Sequence, residues 1–166
     1  PITLKMPVAY NNNSKIHISN LDTNEWIKQL PELDLVYYDP PYNKHPYSIF
    51  YFMLDIINNW NTDNEIPATY RGQVKSWIKS KYNSSIEAEN AFSDLISNTR
   101  SKYILISYNS GGIIPIDKMD SLLKKYGSVT KIPVTHNTYN RLKGISEYKS
   151  KKPTTKVNEF FWLIEK

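Results

Sequence analysis

One tetrapeptide in this chain combines residue types that can do chemistry, Asp39-Pro40-Pro41-Tyr42. An aromatic exocyclic amine is a poor nucleophile because its lone pair is delocalised into the ring. The Asp39 carboxylate and the Pro40 carbonyl could accept both amine hydrogens, which favours a pyramidal nitrogen and places negative charge where positive charge develops. The Tyr42 ring offers a face on which a flipped-out base can stack. Asp39, Pro40 and Tyr42 are therefore candidate catalytic residues, and a strand end followed by a proline turn is the structural alternative.

The elements around the tetrapeptide predict an α/β fold. Residues 33–38, which precede it, are nearly continuously apolar and predict a central strand covered on both faces. Strands alternating with helices predict a mostly parallel sheet, and the last two strands, with no helix between them, are expected to pair antiparallel. The strands are predicted at residues 15–19, 33–38, 103–107, 128–135 and 157–165, and the helices at 23–30, 47–60, 85–98 and 116–125.

Polar residues follow three of these predicted strands. Asp22, Asp39 and Asn109 each lie just past a carboxyl end, where ligands bind in sheets of this kind. The sequence therefore predicts a site at this edge of the sheet. For Asp22 the alternative is a helix-capping role, and for Asn109 it is a hydrogen bond to the backbone of a turn.

Composition narrows the class of protein. The net charge of +5 over 166 residues suits a polyanionic partner, although a solvated basic surface is the alternative. The absence of cysteine excludes disulfides, thiolate metal sites and cysteine nucleophiles. The three histidines show no metal-ligand spacing, so no metal is predicted. No apolar run approaches the roughly 18 residues of a membrane span, and no signal peptide is visible. We expect a cytoplasmic protein.

The chain resembles the catalytic half of the Dam-like DNA adenine-N6 methyltransferases. Residues 35–43, with Asp-Pro-Pro-Tyr, carry the specific resemblance, and four weaker segments occur in the family's order: 16–22, 47–55, 104–109 and 155–161. The resemblance implies a Rossmann-like sheet that binds S-adenosylmethionine as methyl donor and double-stranded DNA as substrate. It implies methylation of the N6 amine of a flipped-out adenine, within a restriction-modification or DNA-methylation system. In-line attack on a sulfonium methyl needs neither a metal nor a covalent enzyme intermediate.

The resemblance also implies roles for individual residues. Glu159, inside an apolar strand, is expected to form a structural salt bridge or hydrogen bond. The resemblance implies that Tyr47 and Tyr51 lie beside the base, whereas their helical spacing favours core packing. Donor binding is expected of Asn20, Asp22, Asp39 and Pro41; contact with adenine or DNA is expected of Pro41, Tyr42, Asn43, Tyr47, Tyr51, Arg141 and Lys143.

Two features of the family have no counterpart in this sequence. None of the five glycines forms a Phe-x-Gly-x-Gly-like donor loop near the N-terminus, and the target-recognition region that usually precedes residues 15–19 is absent. We therefore expect residues 1–166 to be one domain, the C-terminal catalytic portion of a methyltransferase, with a preceding segment or a separate chain supplying the rest. The alternatives are a non-catalytic nucleic-acid-binding subunit, or methylation of cytosine N4, RNA adenine or a protein amide.

Overall fold

The computed structural model describes residues 6, 8, 13–60, 79–137 and 156–166. In these ranges a four-stranded sheet carries helices in the connections between its strands. The strands are β1 (Leu33–Tyr38), β2 (Ser101–Asn109), β3 (Ser128–Asn137) and β4 (Lys156–Glu165); the helices are α1 (Thr23–Ile27), α2 (Tyr47–Asn59), α3 (Ala88–Asn98) and α4 (Ile116–Leu123), with a 3₁₀ turn at Lys81–Asn83. None of the helices in these ranges is long and apolar enough to cross a membrane.

The strand pairing confirms the predicted directions of the strands. The order is β1-β2-β4-β3, with β1 parallel to β2 and with β4 antiparallel to both of its neighbours. Three strands therefore run in one direction and only the last is reversed. Because β4 lies between β2 and β3, it places β3 at an edge, where Pro133 is tolerated within the strand.

One hydrophobic core lies between the sheet and α1, α3 and α4. The predicted helical spacing in α3 is confirmed, since Phe92, Leu95 and Ile96 are all buried. They belong to the same buried cluster as Ile104 of β2 and Trp162 of β4. Burial of these large side chains provides most of the driving force that fixes β1 and β2 under α3.

Two strand predictions are wrong. Residues 15–19 form no regular element and are exposed, and they pair with no strand in the described ranges. An alternating pattern cannot hold a strand without a partner for its backbone groups. The expectation that β1 is covered on both faces is also wrong here: Val36 and Tyr38 face the core, whereas Leu35 and Tyr37 are 54 % and 53 % exposed.

A polar cluster joins α4 to the last two strands. The indole Nε1 of buried Trp162 donates to Asp120 at 2.7 Å, and the Lys131 ammonium binds the other carboxylate oxygen at 2.8 Å. Lys131 also lies over the Phe160 ring, 4.5 Å from its centroid. Burial by itself would raise the pKa of Asp120, but the hydrogen bonds from Lys131 and Trp162 outweigh it and hold the pKa below its ordinary value of 3.8.

We expect Asp120→Asn to lower the free energy of unfolding by about 1 kcal/mol near neutral pH, because a neutral amide loses the charge-assisted contact with Lys131. Since the folded pKa is depressed, the stabilisation is complete above the ordinary value and is lost as the pH falls through the folded pKa. Denaturant titrations across acidic pH should show the two proteins converging. Asp117→Asn, on the same helix, is the matched control. An equal loss in both variants, or a difference that does not shrink in acid, would contradict the assignment.

Candidate active site

A buried hydrogen-bond chain fixes the end of β1, where the Asp-Pro-Pro-Tyr motif begins. The Tyr38 hydroxyl lies 2.7 Å from Thr99 Oγ1, which donates in turn to the Leu95 carbonyl. Tyr38 must therefore be the donor of the first bond, and burial raises the pKa of its phenol so that it stays protonated. Pro40 and Pro41 have no amide hydrogen and cannot continue the ladder. The carboxyl end of β1 is thereby held against the C-terminus of α3.

The two candidate acceptors of the motif remain available to a ligand. Neither the Asp39 carboxylate nor the Pro40 carbonyl accepts a hydrogen bond from another residue within the described ranges. Asp39 is exposed, Pro40 is buried, and Tyr42 is 36 % exposed. The arrangement can present a charged and a neutral acceptor beside an accessible aromatic ring.

Two backbone carbonyls shortly after the acceptors are each held by a hydrogen bond from another part of the chain. The amide of Ile113 donates to the Tyr42 carbonyl at 2.9 Å, and the side-chain amide of Asn83 donates to the Asn43 carbonyl at 2.8 Å. The Asn43 side chain accepts from the His45 amide at 2.9 Å and so stabilises the turn into α2. A substrate-binding role for Asn43 stays a prediction.

Tyr47 and Tyr51 do not pack in the core. They are 52 % and 50 % exposed, and their ring centroids lie 6.0 Å apart on the first turns of α2. Burial, followed by the nearby Tyr42 phenol and Asp39 carboxylate, raises the pKa of the Tyr47 phenol. The core-packing interpretation is therefore wrong, and Tyr47 lies within electrostatic range of the motif.

The predicted donor-binding residues line a single open cleft. Asn20, Asp22, Asp39 and Pro41 all lie on its wall, between α1 and the end of β1, and its volume is about 930 Å³. Trp26 contributes a half-buried indole to the same wall. The structure thus brings together residues that are up to 21 positions apart, from Asn20 to Pro41. Their binding roles stay predictions.

Asp22 caps α1, as the structural alternative predicted. Its Oδ1 accepts from the amides of Asn24 and Glu25 at 3.0 and 3.2 Å, which satisfies amides of the first helical turn. Oδ2 takes no part in the cap. Capping therefore orients the carboxylate at the cleft without using both of its oxygens.

At the end of β2, polar side chains hold the backbone and each other. Asn109 Oδ1 accepts from the Gly111 amide at 2.7 Å, so the turn interpretation of Asn109 is confirmed. Ser107 donates to Glu159 at 3.4 Å, which confirms the expected structural hydrogen bond of that carboxylate. The end of β2 thus lies beside the end of β1, and these polar side chains of β2 are already hydrogen-bonded within the protein.

Several site residues were not found by sequence reasoning, and two others cannot be placed. Arg141 and Lys143 lie outside the described residues. Trp26 and Lys79 line the cleft, and Asn83 contacts the motif loop, but no spacing pattern relates them to Asp39. The position of Trp26, one helical turn after Asp22, could have indicated that both side chains lie on the same face of α1. In the part of the chain that is described, no group of three or more His, Asp or Glu side chains could hold a metal.

Comparison with known proteins points to one family. The sequence model of the D12 class N6 adenine-specific DNA methyltransferases matches residues 4–122. The chain is 30 % identical to type II methyltransferase M.FokI of Planomicrobium okeanokoites over 156 residues, which cover 90 % of this chain and 23 % of that protein. It is 33 % identical to modification methylase StsI of Streptococcus sanguinis over 133 residues, which cover 75 % of this chain and 19 % of that protein. It is 26 % identical to type II methyltransferase M.NlaIII of Neisseria lactamica over 167 residues, which cover 100 % of this chain and 48 % of that protein.

The chain thus spans less than half the length of each of these three relatives. No solved structure matches it.

Proposed function

This chain belongs to the D12 class N6 adenine-specific DNA methyltransferase family, and we propose from that premise that it binds the target amine in a DNA methyltransferase. The enzyme transfers a methyl group from S-adenosylmethionine to the N6 amine of adenine. The observation that carries the proposal is the position of Asp39: it directly follows β1, no described residue pairs with its carboxylate, and it lines the same cleft as Asp22.

The residues around the cleft fit the methyl donor. Asp22 offers a carboxylate that can accept from hydroxyl groups, and Trp26 and Leu21 offer an apolar wall for an adenosine ring. Asn20 and Pro41 complete the set that we expect to hold the donor. When bound, S-adenosylmethionine supplies an electrophilic methyl group. The protein's part is to place the amine in line with that group.

Asp39 and Pro40 act on the amine as acceptors. The carboxylate binds one amine hydrogen and the Pro40 carbonyl binds the other, which localises the nitrogen lone pair toward the methyl group. Charge placed in advance at this position stabilises the developing ammonium more than the neutral amine. Tyr42, with Tyr47 and Tyr51 beyond it, offers rings to a base taken out of the duplex.

The partners follow from the same proposal. The substrate is double-stranded DNA, and the net charge of +5 favours phosphate contact. Three relatives are named as methyltransferases or modification methylases, which supports a role in a cytoplasmic restriction-modification system. Further sequence, in the same chain or in a second one, would supply the remainder of the donor site and the recognition of the target.

A labelled-methyl assay tests the proposal. This chain, and the longest natural protein that contains it, are incubated with methyl-labelled S-adenosylmethionine and duplex DNA, and the digested nucleosides are separated. We expect label in N6-methyladenine only. Label in N4-methylcytosine, or transfer only when RNA is supplied in place of the duplex, would mean a different substrate. DNA binding without any transfer by either protein would favour a non-catalytic nucleic-acid-binding subunit.

Donor binding gives a second prediction. We expect Asp22→Asn to weaken S-adenosylmethionine binding about tenfold, because asparagine keeps the helix cap but removes the charged acceptor. Calorimetric titration of the longest active form measures the change. Glu25→Gln, on the same helix and away from the cleft lining, is the matched control. Unchanged affinity in Asp22→Asn would exclude Asp22 from the donor site.

A further inference from the structure

Asn83 makes a long-range contact with the motif loop. It lies 40 positions after Asn43 in sequence, in the 3₁₀ turn at Lys81–Asn83, and only 6 % of it is exposed. Its Nδ2 donates to the Asn43 carbonyl at 2.8 Å, and its Oδ1 accepts from the Ser80 amide at 3.2 Å. Only one orientation of the carboxamide satisfies both partners, so the donor is aimed at the loop by its own turn.

A second contact holds the loop from the side of β2. The Ile113 amide donates to the Tyr42 carbonyl, and the next amide, of Ile114, donates to the buried Tyr108 hydroxyl at 3.0 Å. The Tyr108 ring packs so closely on Gly112 that a Cβ there would lie 2.2 Å from a ring carbon. Tyr108 therefore fixes residues 112–114, and these fix Tyr42.

The two contacts hold consecutive carbonyls, those of Tyr42 and Asn43, and only Pro41 separates these residues from the acceptor pair Asp39 and Pro40. A displacement of about 1 Å at a reacting group can reduce the rate about 100-fold, so a loop that carries acceptors needs such support. Neither Asn83 nor Tyr108 needs to touch a reactant to provide it.

We infer that Asn83 is a positioning residue for the motif loop, and that Tyr108 is a second one, which acts on the neighbouring residue Tyr42. The effect on rate rests on the proposed methyl transfer, whereas the effect on the loop does not. Asn83 acts through the Asn43 carbonyl, and Tyr108 acts through the 112–114 backbone. Together they set where the Tyr42 ring and the Asp39 and Pro40 acceptors stand relative to the amine.

Asn83→Asp is the decisive variant. A carboxylate of the same shape still accepts from the Ser80 amide but cannot donate to the Asn43 carbonyl. We expect kcat for methyl transfer to fall 10- to 100-fold, while the affinity for S-adenosylmethionine changes less than twofold. Tyr108→Phe should lower kcat in the same way, and the double variant should lose less than the product of the two single losses.

Asn98→Asp is the matched control. Asn98 donates to Asp94 at the exposed end of α3, so the same substitution destabilises the fold without a contact to the loop. Its kcat should stay within twofold of that of the unaltered protein. An equal loss of kcat in Asn98→Asp and Asn83→Asp would reduce Asn83 to a structural residue and overturn the inference.

Amide hydrogen exchange supplies a readout that does not depend on catalysis. Asn83→Asp should accelerate exchange at His45 and Ile113, whose amides bond to the loop, by at least tenfold, and leave Leu105 in β2 unchanged. If the unaltered protein transfers no methyl group, the proposed function fails and exchange alone decides the inference. Unchanged exchange at both amides would overturn it.

Discussion

Asp39→Ala is expected to lower the rate of methyl transfer at least about 1,000-fold. The substitution removes the charged acceptor from the amine and leaves the Pro40 carbonyl as the remaining one. Because Asp39 is exposed and accepts no hydrogen bond from described residues, the free energy of unfolding should change by less than about 0.5 kcal/mol. Single-turnover transfer to duplex DNA, with product counted as N6-methyladenine, measures the effect on the chemical step.

Two further variants sharpen this expectation. Asp39→Asn keeps an acceptor of the same shape without its charge, so we expect an intermediate loss. Asp55→Ala removes an exposed carboxylate from α2, away from the cleft lining, and should leave the rate within twofold. Retained turnover in Asp39→Ala would exclude the acceptor mechanism, whatever the effect on DNA binding.

The parts of the fold that sequence predicts well are those with a pattern of their own. The bounds of β1 agree with the predicted residues 33–38, and Phe92, Leu95 and Ile96 are buried at the expected spacing. In α3 the pattern records burial on one element, which does not depend on the identity of its partner. The reversed direction of the last strand agrees with the prediction, which assumed no helix between the last two strands.

The pairing of a strand and the burial of a sheet face depend on partner elements that no local sequence pattern identifies. Residues 15–19 alternate as a strand would, yet they pair with no strand of the described sheet. The apolar sequence predicts that Leu35 and Tyr37 are core residues, but their face of the sheet can be buried only if another element packs against it. Likewise, the contact from Asn83 to the Asn43 carbonyl joins two turns of unrelated sequence. Such contacts follow from the three-dimensional arrangement of loops, not from periodicity.

In the candidate site, too, the sequence indicates individual residue types but not the contacts between distant segments. The chemistry proposed for Asp39, Pro40 and Tyr42 rests on residue types, since paired acceptors beside a ring suit an aromatic amine, and it stays a prediction. Asp22 lies on the same cleft, but not for the reason that predicted it, because residues 15–19 form no strand before it. How firmly the motif is held could not be predicted, because its hydrogen-bond donors come from Asn83 and Ile113.

Tyr42→Ala is expected to lower kcat/KM for DNA about 10- to 100-fold, since stacking of one base on an aromatic ring contributes about 1–3 kcal/mol. Tyr42→Phe keeps the ring and should stay within about threefold. The backbone should keep its place in both variants, because the Ile113 amide holds the Tyr42 carbonyl and not its side chain. Steady-state kinetics on a duplex with a single target measure the three proteins side by side.

The comparison between Tyr42→Ala and Tyr42→Phe separates two ways in which this residue can act. If the ring face binds the base, only the alanine variant fails, and placing the target adenine opposite a mismatch should restore part of its rate by lowering the cost of flipping. If the hydroxyl matters instead, the phenylalanine variant fails equally and the mismatch brings no recovery. Since Tyr42 is 36 % exposed and lies beside Tyr47, the structure favours the ring, and equal failure of both variants would contradict a stacking role.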